Sequence, residues 1–213
     1  MITFPLNQIQ PHASVISIPK RLLDIVGASI GLLILAAIVI PIAVAIKLEN
    51  PGPVFFSQIR YGLNGQQFRL YKFRTMVQEA EVLKTLVVNE ARGPMFKNSA
   101  DPRVSGLVGR FLRCTSLDEM PQFFNILIGE MSLVGPRPPI TEEVVRYTSR
   151  QWSRLSVKPG LTGAWQVNGR SEVADFETML TLDLHYQKEW SLWHDLKILG
   201  QTVGVVLKKT GAY

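Results

Sequence analysis

The longest apolar run of the chain lies in its N-terminal quarter. No charged residue occurs between Ile25 and Ile46, and a helix of about 22 residues, rising about 1.5 Å per residue, reaches across the hydrocarbon core of a bilayer. About nineteen mostly neutral residues precede the first basic pair, which is not typical of a cleaved signal peptide. We therefore predict an N-terminal extension over residues 1–19 and a retained membrane anchor helix over residues 20–50.

Basic residues flank the anchor on both sides. Lys20 and Arg21 precede it and Lys47 follows it, so the positive-inside rule draws both flanks toward the cytoplasm. Asp24 lies one helical turn after the basic pair, where an ion pair would tie the helix to the interface. Pro41 interrupts the backbone hydrogen bonds. Two arrangements stay open, a straight span with a kink and a re-entrant hairpin.

Beyond residue 50 the hydrophobic pattern breaks into short segments. An Asn-Pro-Gly-Pro run ends the anchor, after which the pattern predicts strands at 54–56 and 67–74 and helices at 78–88 and 107–112. We predict an α+β fold, in which residues 51–213 form a small, mainly helical catalytic domain with a short β element.

The C-terminal segment carries apolar and basic positions at helical spacing. Trp190 and Trp193 precede apolar residues from Leu196 to Leu207, with lysines between and after them. Such a helix either lies on a membrane surface or faces the core, and an interfacial position is slightly favoured.

Composition and charge restrict the class of protein. The chain has 213 residues, 46% hydrophobic content and a net charge of +6, which fits one domain plus one anchor and favours anionic headgroups and anionic substrates. Nucleic acid is not expected as a partner, because the basic residues are dispersed and no recognition motif is present. The single Cys114 excludes an internal disulfide.

The second predicted strand carries two cations near its end. Lys72 and Arg74 alternate with apolar residues, so a strand would place both on one face. Such a pair either binds an anion such as phosphate or forms a solvated face. The sequence alone does not separate these two interpretations.

Two adjacent carboxylates, Asp118 and Glu119, follow Ser116 where a helix is predicted to begin. Ser116 and Glu119 have the spacing of a capping box, which would make them structural. Phe123, Phe124, Leu127 and Ile128 would then form the buried stripe of that helix. Capping leaves Asp118 unexplained, so a functional pair of carboxylates is an equally supported hypothesis.

Cations and turns surround this carboxylate pair in the sequence. Arg113 precedes it, Gln122 follows it, and Arg137 stands in a rigid Gly-Pro-Arg-Pro turn. A glycine-rich stretch over 158–170 ends in Arg170, and its backbone N–H groups have close access to a ligand. Guanidinium groups held near carboxylates are typical of sites for phosphate chemistry.

Taken together, these motifs resemble the bacterial sugar transferase family, the monotopic polyprenyl-phosphate phosphoglycosyl transferases. The resemblance covers nearly everything after Ile18 and is closest to members that initiate exopolysaccharides with a hexose 1-phosphate. Its carriers are Lys20-Arg21-Leu22-Leu23-Asp24, Pro51-Gly52-Pro53-Val54-Phe55, Lys72-Phe73-Arg74-Thr75-Met76, Ser116-Leu117-Asp118-Glu119, Gly135-Pro136-Arg137-Pro138, Lys158-Pro159-Gly160 and the terminal Gly211-Ala212-Tyr213. One departure is Ala36-Ala37, where the family commonly has the Ser-Pro pair of its re-entrant turn.

The resemblance implies a reaction and its partners. Asp118 would attack the sugar-bearing phosphate of a UDP-sugar, and polyprenyl (undecaprenyl) phosphate would then accept the phospho-sugar. Asp118 and Glu119 would hold a Mg²⁺ ion. Arg113, Arg137, Lys72, Arg74, Gln122 and Arg170 would bind the substrate phosphates. The enzyme would lie in the bacterial inner membrane, in contact with its lipids, with the catalytic domain on the cytoplasmic face.

Two other functions share these features. A membrane phosphohydrolase would form the same aspartyl intermediate and release it to water, and a scaffold of a glycan-assembly complex would need no nucleophile. The sequence leaves open which sugar is transferred and whether the chain forms a homo-oligomer.

Overall fold

The computed structural model describes residues 11–208 except 97, 99 and 169–174, with the backbone alone at 207 and 208. Its α-helices are α1 (Ala13–Ile16), α2 (Ile18–Glu49), α3 (Ala80–Leu83), α4 (Gly106–Cys114), α5 (Gln122–Ile128), α6 (Thr141–Val144), α7 (Ser149–Trp152), α8 (Ala164–Val167), α9 (Phe176–Lys188) and α10 (Leu192–Lys208). Its strands are β1 (Phe55–Tyr61), β2 (Gln67–Phe73), β3 (Ser132–Val134) and β4 (Gly160–Thr162). The mixture of helices with two small sheets confirms the predicted α+β class.

The anchor forms one helix, α2. Ser17 caps its start by accepting a hydrogen bond from the backbone N–H of Lys20, and Asn50 stands at its C-terminal end. The chain is helical on both sides of Pro41, so the described backbone has no loop there. This helix of 32 residues is long and apolar enough to cross a membrane, and only 11% of its most apolar window is buried. That exposure differs from the burial of a core helix in a soluble protein.

One face of α2 packs along the globular part over most of its length. A Cβ atom added to Gly27 would lie 2.6 Å from Leu133, and one added to Gly31 would lie 2.5 Å from Phe123, so glycine permits this close approach. Near the other end, Ile46 is buried in a cluster with residues of β2 and α4. Both ends of the anchor therefore contact the same globular body.

The opposite face of α2 is apolar and exposed. Its exposed large residues are Ile18, Leu22, Val26, Ile30, Leu33, Ile34, Ile40, Val44 and Leu48. Other helices add exposed apolar residues, among them Leu107, Phe111, Phe124, Ile128, Trp193, Leu196, Val203 and Val206. An exposed apolar helix face of this length is consistent with membrane association.

The predicted buried stripe of α5 is wrong for two of its four residues. Phe123 and Leu127 pack against the core, whereas Phe124 and Ile128 are 46% and 51% exposed. The two pairs lie on adjacent rows of the helix, and only one row faces α2 and the core. The other row joins the exposed apolar surface, which periodicity alone does not distinguish from a core face.

Strands β1 and β2 form an antiparallel hairpin that pairs Phe55 with Phe73 and Tyr61 with Gln67. Strand β2 confirms the strand predicted at 67–74, and β1 is longer than the segment predicted at 54–56. Asn64 and Gly65 have φ values of +53° and +74° in the connecting turn, a conformation that Asn and Gly tolerate best.

Strands β3 and β4 form a parallel pair that the hydrophobic pattern did not predict. Ser132 lies opposite Gly160 and Val134 opposite Thr162. A Cβ atom on Gly135 would lie 2.4 Å from the carbonyl oxygen of Lys158, so this contact requires glycine. The pairing brings the Lys-Pro-Gly segment beside the Gly-Pro-Arg-Pro turn.

Of two further predicted helices, the structure confirms one and shortens the other. The helix predicted at 107–112 is confirmed by α4, whereas the one predicted at 78–88 is reduced to α3 and a 3₁₀ turn at Lys84–Leu86. In α10, Asp195 and Ile198 are buried while Leu196 and Val203 are exposed. That helix therefore has both a core face and an exposed apolar face.

Candidate active site

The two adjacent carboxylates lie in a 3₁₀ turn, Leu117–Glu119, between α4 and α5. Ser116 has a φ of +56°, in the left-handed region, and its side chain forms no capping hydrogen bond. The capping-box interpretation is therefore wrong, because the Ser116 side chain does not accept a hydrogen bond from the backbone of the following turn. A non-glycine residue in this conformation costs about 1–3 kcal/mol and is often found at functional sites.

Lys72 of β2 faces both carboxylates. Its Nζ atom lies 2.5 Å from Oε1 of Glu119 and 3.9 Å from Oδ2 of Asp118. Asp118 is buried, and Glu119 and Lys72 are half-buried. The ammonium group compensates two negative charges that the turn forces together.

The other predicted cations differ in what they bind. Arg113 donates from Nε to Oγ1 of Thr75 at 3.2 Å. Arg74 is buried, and its guanidinium donates to the carbonyl oxygens of Asn50 and Pro51. Arg74 therefore holds the end of the anchor against the domain, so the pair predicted on one strand face separates into different roles.

The Gly-Pro-Arg-Pro turn is held from three sides. Arg137 donates from Nη1 to both carboxylate oxygens of the buried Glu143, at 3.2 and 3.1 Å. Its carbonyl oxygen accepts from Nη2 of Arg154 at 3.3 Å, and that of Pro138 accepts from Nη1 of Arg60 at 2.9 Å. The position of Arg137 is therefore fixed before any ligand binds.

Arg154 is itself fixed inside the domain. It forms a fully buried ion pair with Asp183, at 2.7 Å, and donates to the hydroxyl oxygen of Tyr147 at 2.8 Å. Burial raises the pKa of Tyr147 to about 12, so the phenol stays protonated at neutral pH. This network connects α9 to the turn that carries Arg137.

A cavity of about 960 Å³ lies at the carboxylate pair. Among the predicted site residues it is lined by Lys72, Arg74, Arg113, Asp118, Glu119, Gln122 and Arg137. Phe55 and Phe56 of β1 and Leu199, Val203 and Val206 of α10 add apolar lining. The cavity therefore combines charged and apolar lining, and Glu81, Lys84, Asp101 and Arg103 add further charged groups to it. Arg170 lies outside the described residues.

The predicted anchor residues bind the domain instead of one another. Lys20 is buried and forms an ion pair with Asp195 at 2.7 Å, and Arg21 donates to the carbonyl oxygens of Ile126 and Leu127 at the end of α5. Asp24 accepts hydrogen bonds from Ser132 and from the N–H of Leu133.

The predicted helix-surface ion pair of Asp24 with the basic pair is wrong, because none of the ion pairs within the described part of the chain includes Asp24. The three side chains turn toward the domain, where buried polar groups require partners.

Several residues of the site were not predicted from the sequence. Arg60 lines the cavity, Glu143 holds Arg137, and Arg154 holds the backbone of the turn. Arg60 alternates with Gln58 along β1, which is a weak signal for a polar strand face. Glu143 and Arg154 carried no local signal, because their partners are brought to them by the tertiary fold.

Two carboxylates of the cavity are candidate ligands for a metal ion. Among the described residues, no three His, Cys, Asp or Glu side chains are grouped as metal ligands. Asp118 and Glu119 provide two adjacent carboxylates, and Mg²⁺ is commonly held by one or two carboxylates together with substrate phosphates. The residues present therefore fit a magnesium ion that arrives with a phosphorylated substrate.

The family model for bacterial sugar transferases matches residues 15–209 of the chain. The chain is 51% identical over 197 residues to the galactosyl transferase CpsE of Streptococcus agalactiae serotype III, covering 92% of this chain and 43% of the relative. It is 45% identical over 200 residues to the undecaprenyl-phosphate galactose phosphotransferase of Salmonella typhimurium, covering 91% of this chain and 41% of the relative.

A third relative is the UDP-glucose:undecaprenyl-phosphate glucose-1-phosphate transferase of Escherichia coli, at 43% identity over 201 residues. That match covers 91% of this chain and 41% of the relative. The chain thus spans about two fifths of the length of these three relatives.

Proposed function

The chain belongs to the bacterial sugar transferase family, and on that basis we propose that it transfers a sugar 1-phosphate from a UDP-sugar to undecaprenyl phosphate. Such a transfer would initiate the synthesis of an exopolysaccharide or glycoconjugate. One observation supports the proposal above all others. A buried aspartate beside a second carboxylate lies in a cation-lined cavity, on a domain that packs along an apolar anchor helix.

The proposed reaction has two steps at Asp118. In the first, a carboxylate oxygen of Asp118 attacks the sugar-bearing phosphorus. The bond to the bridging oxygen breaks, its electron pair stays on that oxygen, and UMP leaves. In the second, an oxygen of undecaprenyl phosphate attacks the same phosphorus and the aspartyl bond breaks. The carboxylate is regenerated, so no net proton or electron is consumed.

The surrounding side chains act on charge and position. Lys72 contacts both carboxylates and limits their mutual repulsion. Arg113 and Arg137 line the same cavity and would bind phosphate oxygens through paired N–H donors. Asp118 and Glu119 would hold the magnesium ion, which neutralises phosphate charge when it is bound.

The anchor places this site where the acceptor is found. The long apolar helix is consistent with membrane association, and the acceptor phosphate of a polyprenyl lipid lies at the headgroup plane. Moving its chain into water would cost about 0.8 kcal/mol per CH₂ group, so a site at the membrane surface avoids that cost. Apolar lining from β1 and α10 gives the first isoprene units a surface to contact.

A phosphohydrolase and a scaffold are distinguished from a transferase by their products. Purified protein with Mg²⁺, undecaprenyl phosphate and a panel of UDP-sugars is expected to release UMP continuously with at least one sugar. Without the lipid, release should stop at about one UMP per active site, and Asp118 should gain the mass of a phospho-sugar. Continuous UMP release without lipid would identify a hydrolase, and no release with any UDP-sugar would refute the proposal.

We also propose that the catalytic domain and the N-terminal flank both lie on the cytoplasmic face of the inner membrane. Lys20 at the start of α2 bonds to α10, and Glu49 at its end accepts hydrogen bonds from backbone N–H groups of α4. A helix crossing the bilayer would expose one of these ends on the far side. The contacts at both ends therefore favour a helix that does not span.

Cysteine labelling tests this topology. In a Cys114→Ser background, single cysteines at the exposed positions Ala13 and Ser149 should both resist a membrane-impermeant thiol reagent in intact spheroplasts. Both should react after lysis, which serves as the control for reactivity. Labelling at Ala13 before lysis would establish a spanning helix.

A further inference from the structure

Arg60 is a second arginine on the wall of the cavity that carries Arg137. Its Nη1 atom donates to the carbonyl oxygen of Pro138 and its Nη2 atom to Oε1 of Gln58, both at 2.9 Å. Because Pro138 directly follows Arg137, the first bond joins the Arg60 side chain to the backbone of the turn that carries Arg137. Both residues line the cavity that contains the carboxylate pair.

The hydrogen bonds of Arg60 do not pair it with a carboxylate. A carbonyl and a side-chain amide are neutral, and its Nε atom is buried with no hydrogen-bond partner in the described part of the chain. Nearby carboxylates are already engaged, since Glu143 pairs with Arg137 and Glu119 pairs with Lys72. No carboxylate among the described residues forms an ion pair with Arg60.

Arg60 and Arg137 are both cations on the wall of the cavity, and they repel each other. Burial, and after it the charge of Arg137, lower the pKa of Arg60 to about 9, which still leaves the side chain charged at neutral pH. The fold thus maintains an unfavourable juxtaposition of cations beside the carboxylate pair. An anion bound between Arg60 and Arg137 would reduce this repulsion. Each planar guanidinium group can donate charge-assisted hydrogen bonds to such an anion.

We propose that Arg60, together with Arg137, binds the phosphate that leaves with the nucleoside, and this inference rests on the transferase reaction proposed above. When Asp118 attacks the sugar-bearing phosphorus, the bridging oxygen keeps the electron pair of the broken bond. The departing nucleoside monophosphate therefore gains one negative charge. Cations positioned on that phosphate stabilise the charge as it develops.

The assignment divides the cavity between the two phosphates of the donor. Lys72 lies at the carboxylate pair, where the transferred phosphate is attacked. Arg60 is instead joined to the turn that follows β3 and carries Arg137, through its bond to Pro138. The transferred and the departing phosphates would thus have separate cations. Arg60 would also set a preference for donors with a diphosphate.

A comparison of two ligands separates phosphate binding from a structural role. UMP carries the proposed ligand group and uridine lacks it, so loss of an Arg60 contact to phosphate weakens UMP binding only. The full-length protein in nanodiscs is titrated with UMP at a fixed Mg²⁺ concentration. The affinity for uridine is measured by displacement of UMP at millimolar uridine concentrations.

Two variants change Arg60. Arg60→Met removes the positive charge, and Arg60→Lys keeps the charge but removes the paired N–H donors of the guanidinium group. Arg110→Met, at an exposed arginine outside the cavity lining, is the matched control.

Arg60→Met is expected to weaken UMP binding at least about ten-fold and to change uridine binding by less than two-fold. The UMP affinity of Arg60→Lys should lie between those of Arg60→Met and the wild type. Arg110→Met should bind both UMP and uridine as tightly as the wild type. A folded Arg60→Met protein that binds UMP within two-fold of the wild type overturns the inference. So does an equal loss for UMP and uridine, which would indicate that Arg60 only supports the turn at Pro138.

Thermal unfolding of each variant shows whether it is folded. Should Arg60→Met not fold, Arg60→Lys decides the question by the same two ligands, because it keeps the charge and loses the bidentate geometry. Wild-type protein that releases no UMP from any UDP-sugar would refute the proposed function. Wild-type turnover with an unaffected Arg60→Met variant would refute this inference alone.

Discussion

Asp118→Asn is expected to reduce turnover by about 10⁴-fold or more while the protein stays folded. The substitution keeps the size of the side chain and removes the carboxylate that forms the covalent intermediate, and no other group stands in its place. The measurement is UMP release from the UDP-sugar that the wild type uses, with undecaprenyl phosphate present. Thermal unfolding of the same sample confirms that the loss is chemical.

Two companion variants sharpen this result. Glu119→Gln should also be severely impaired, since Glu119 contacts Lys72 and adjoins the nucleophile. Glu189→Gln, at an exposed position outside the cavity lining, should retain wild-type turnover. A folded Asp118→Asn protein with near-normal rates would show that Asp118 is not the nucleophile. It would also favour direct transfer or a scaffold role.

Asp195→Asn is expected to cause a large loss of stability for a single substitution. Asp195 is fully buried and accepts hydrogen bonds from Lys20 at 2.7 Å, from Tyr186 at 2.7 Å and from Trp190 at 3.1 Å. Asparagine would leave the buried ammonium of Lys20 with the carbonyl of Val134 as its main acceptor. Removing one partner of such a pair costs about 3–5 kcal/mol.

The expected shift is measurable by thermal unfolding in detergent. At about 2–4 °C per kcal/mol for a chain of this size, Asp195→Asn should lower Tm by about 6–20 °C. Lys20→Met should lower Tm by less than Asp195→Asn, because Asp195 still accepts hydrogen bonds from Tyr186 and Trp190. Glu177→Gln, which breaks an exposed ion pair with Arg150, should lower Tm by less than about 4 °C. Equal effects of Asp195→Asn and Glu177→Gln would show that the buried pair does not hold the anchor.

The buried pair also connects stability to the membrane anchor. Lys20 belongs to the first turn of α2 and Asp195 to the first turn of α10, so the contact joins the start of the anchor to the C-terminal helix. Arg21 caps the end of α5 from the same turn of α2. Lys20 and Arg21, which the positive-inside rule assigns to the membrane interface, therefore also join the anchor to α10 and α5.

Features determined by contacts close in sequence were predictable from the sequence alone. The uncharged run after Asp24 specified a long helix, the alternation over 67–74 specified β2, and the spacing after the Asp-Pro break specified α4. Each depends on hydrophobic periodicity within one element. The carboxylate pair was also identifiable, because adjacent acids close to arginines in the sequence are typical of phosphate-binding sites.

Features determined by contacts distant in sequence were decided only by the tertiary structure. Lys20 and Asp195 are 175 positions apart, and Arg60 and Pro138 are 78 apart. The pairing of β3 with β4 places Gly160 beside Gly135. The sequence does not predict this pairing, because strands of three residues are too short to show a hydrophobic alternation. The sequence by itself thus determined the anchor and the candidate nucleophile. The fold decided which cations surround the nucleophile, because a buried charge is defined by the partners that packing brings to it.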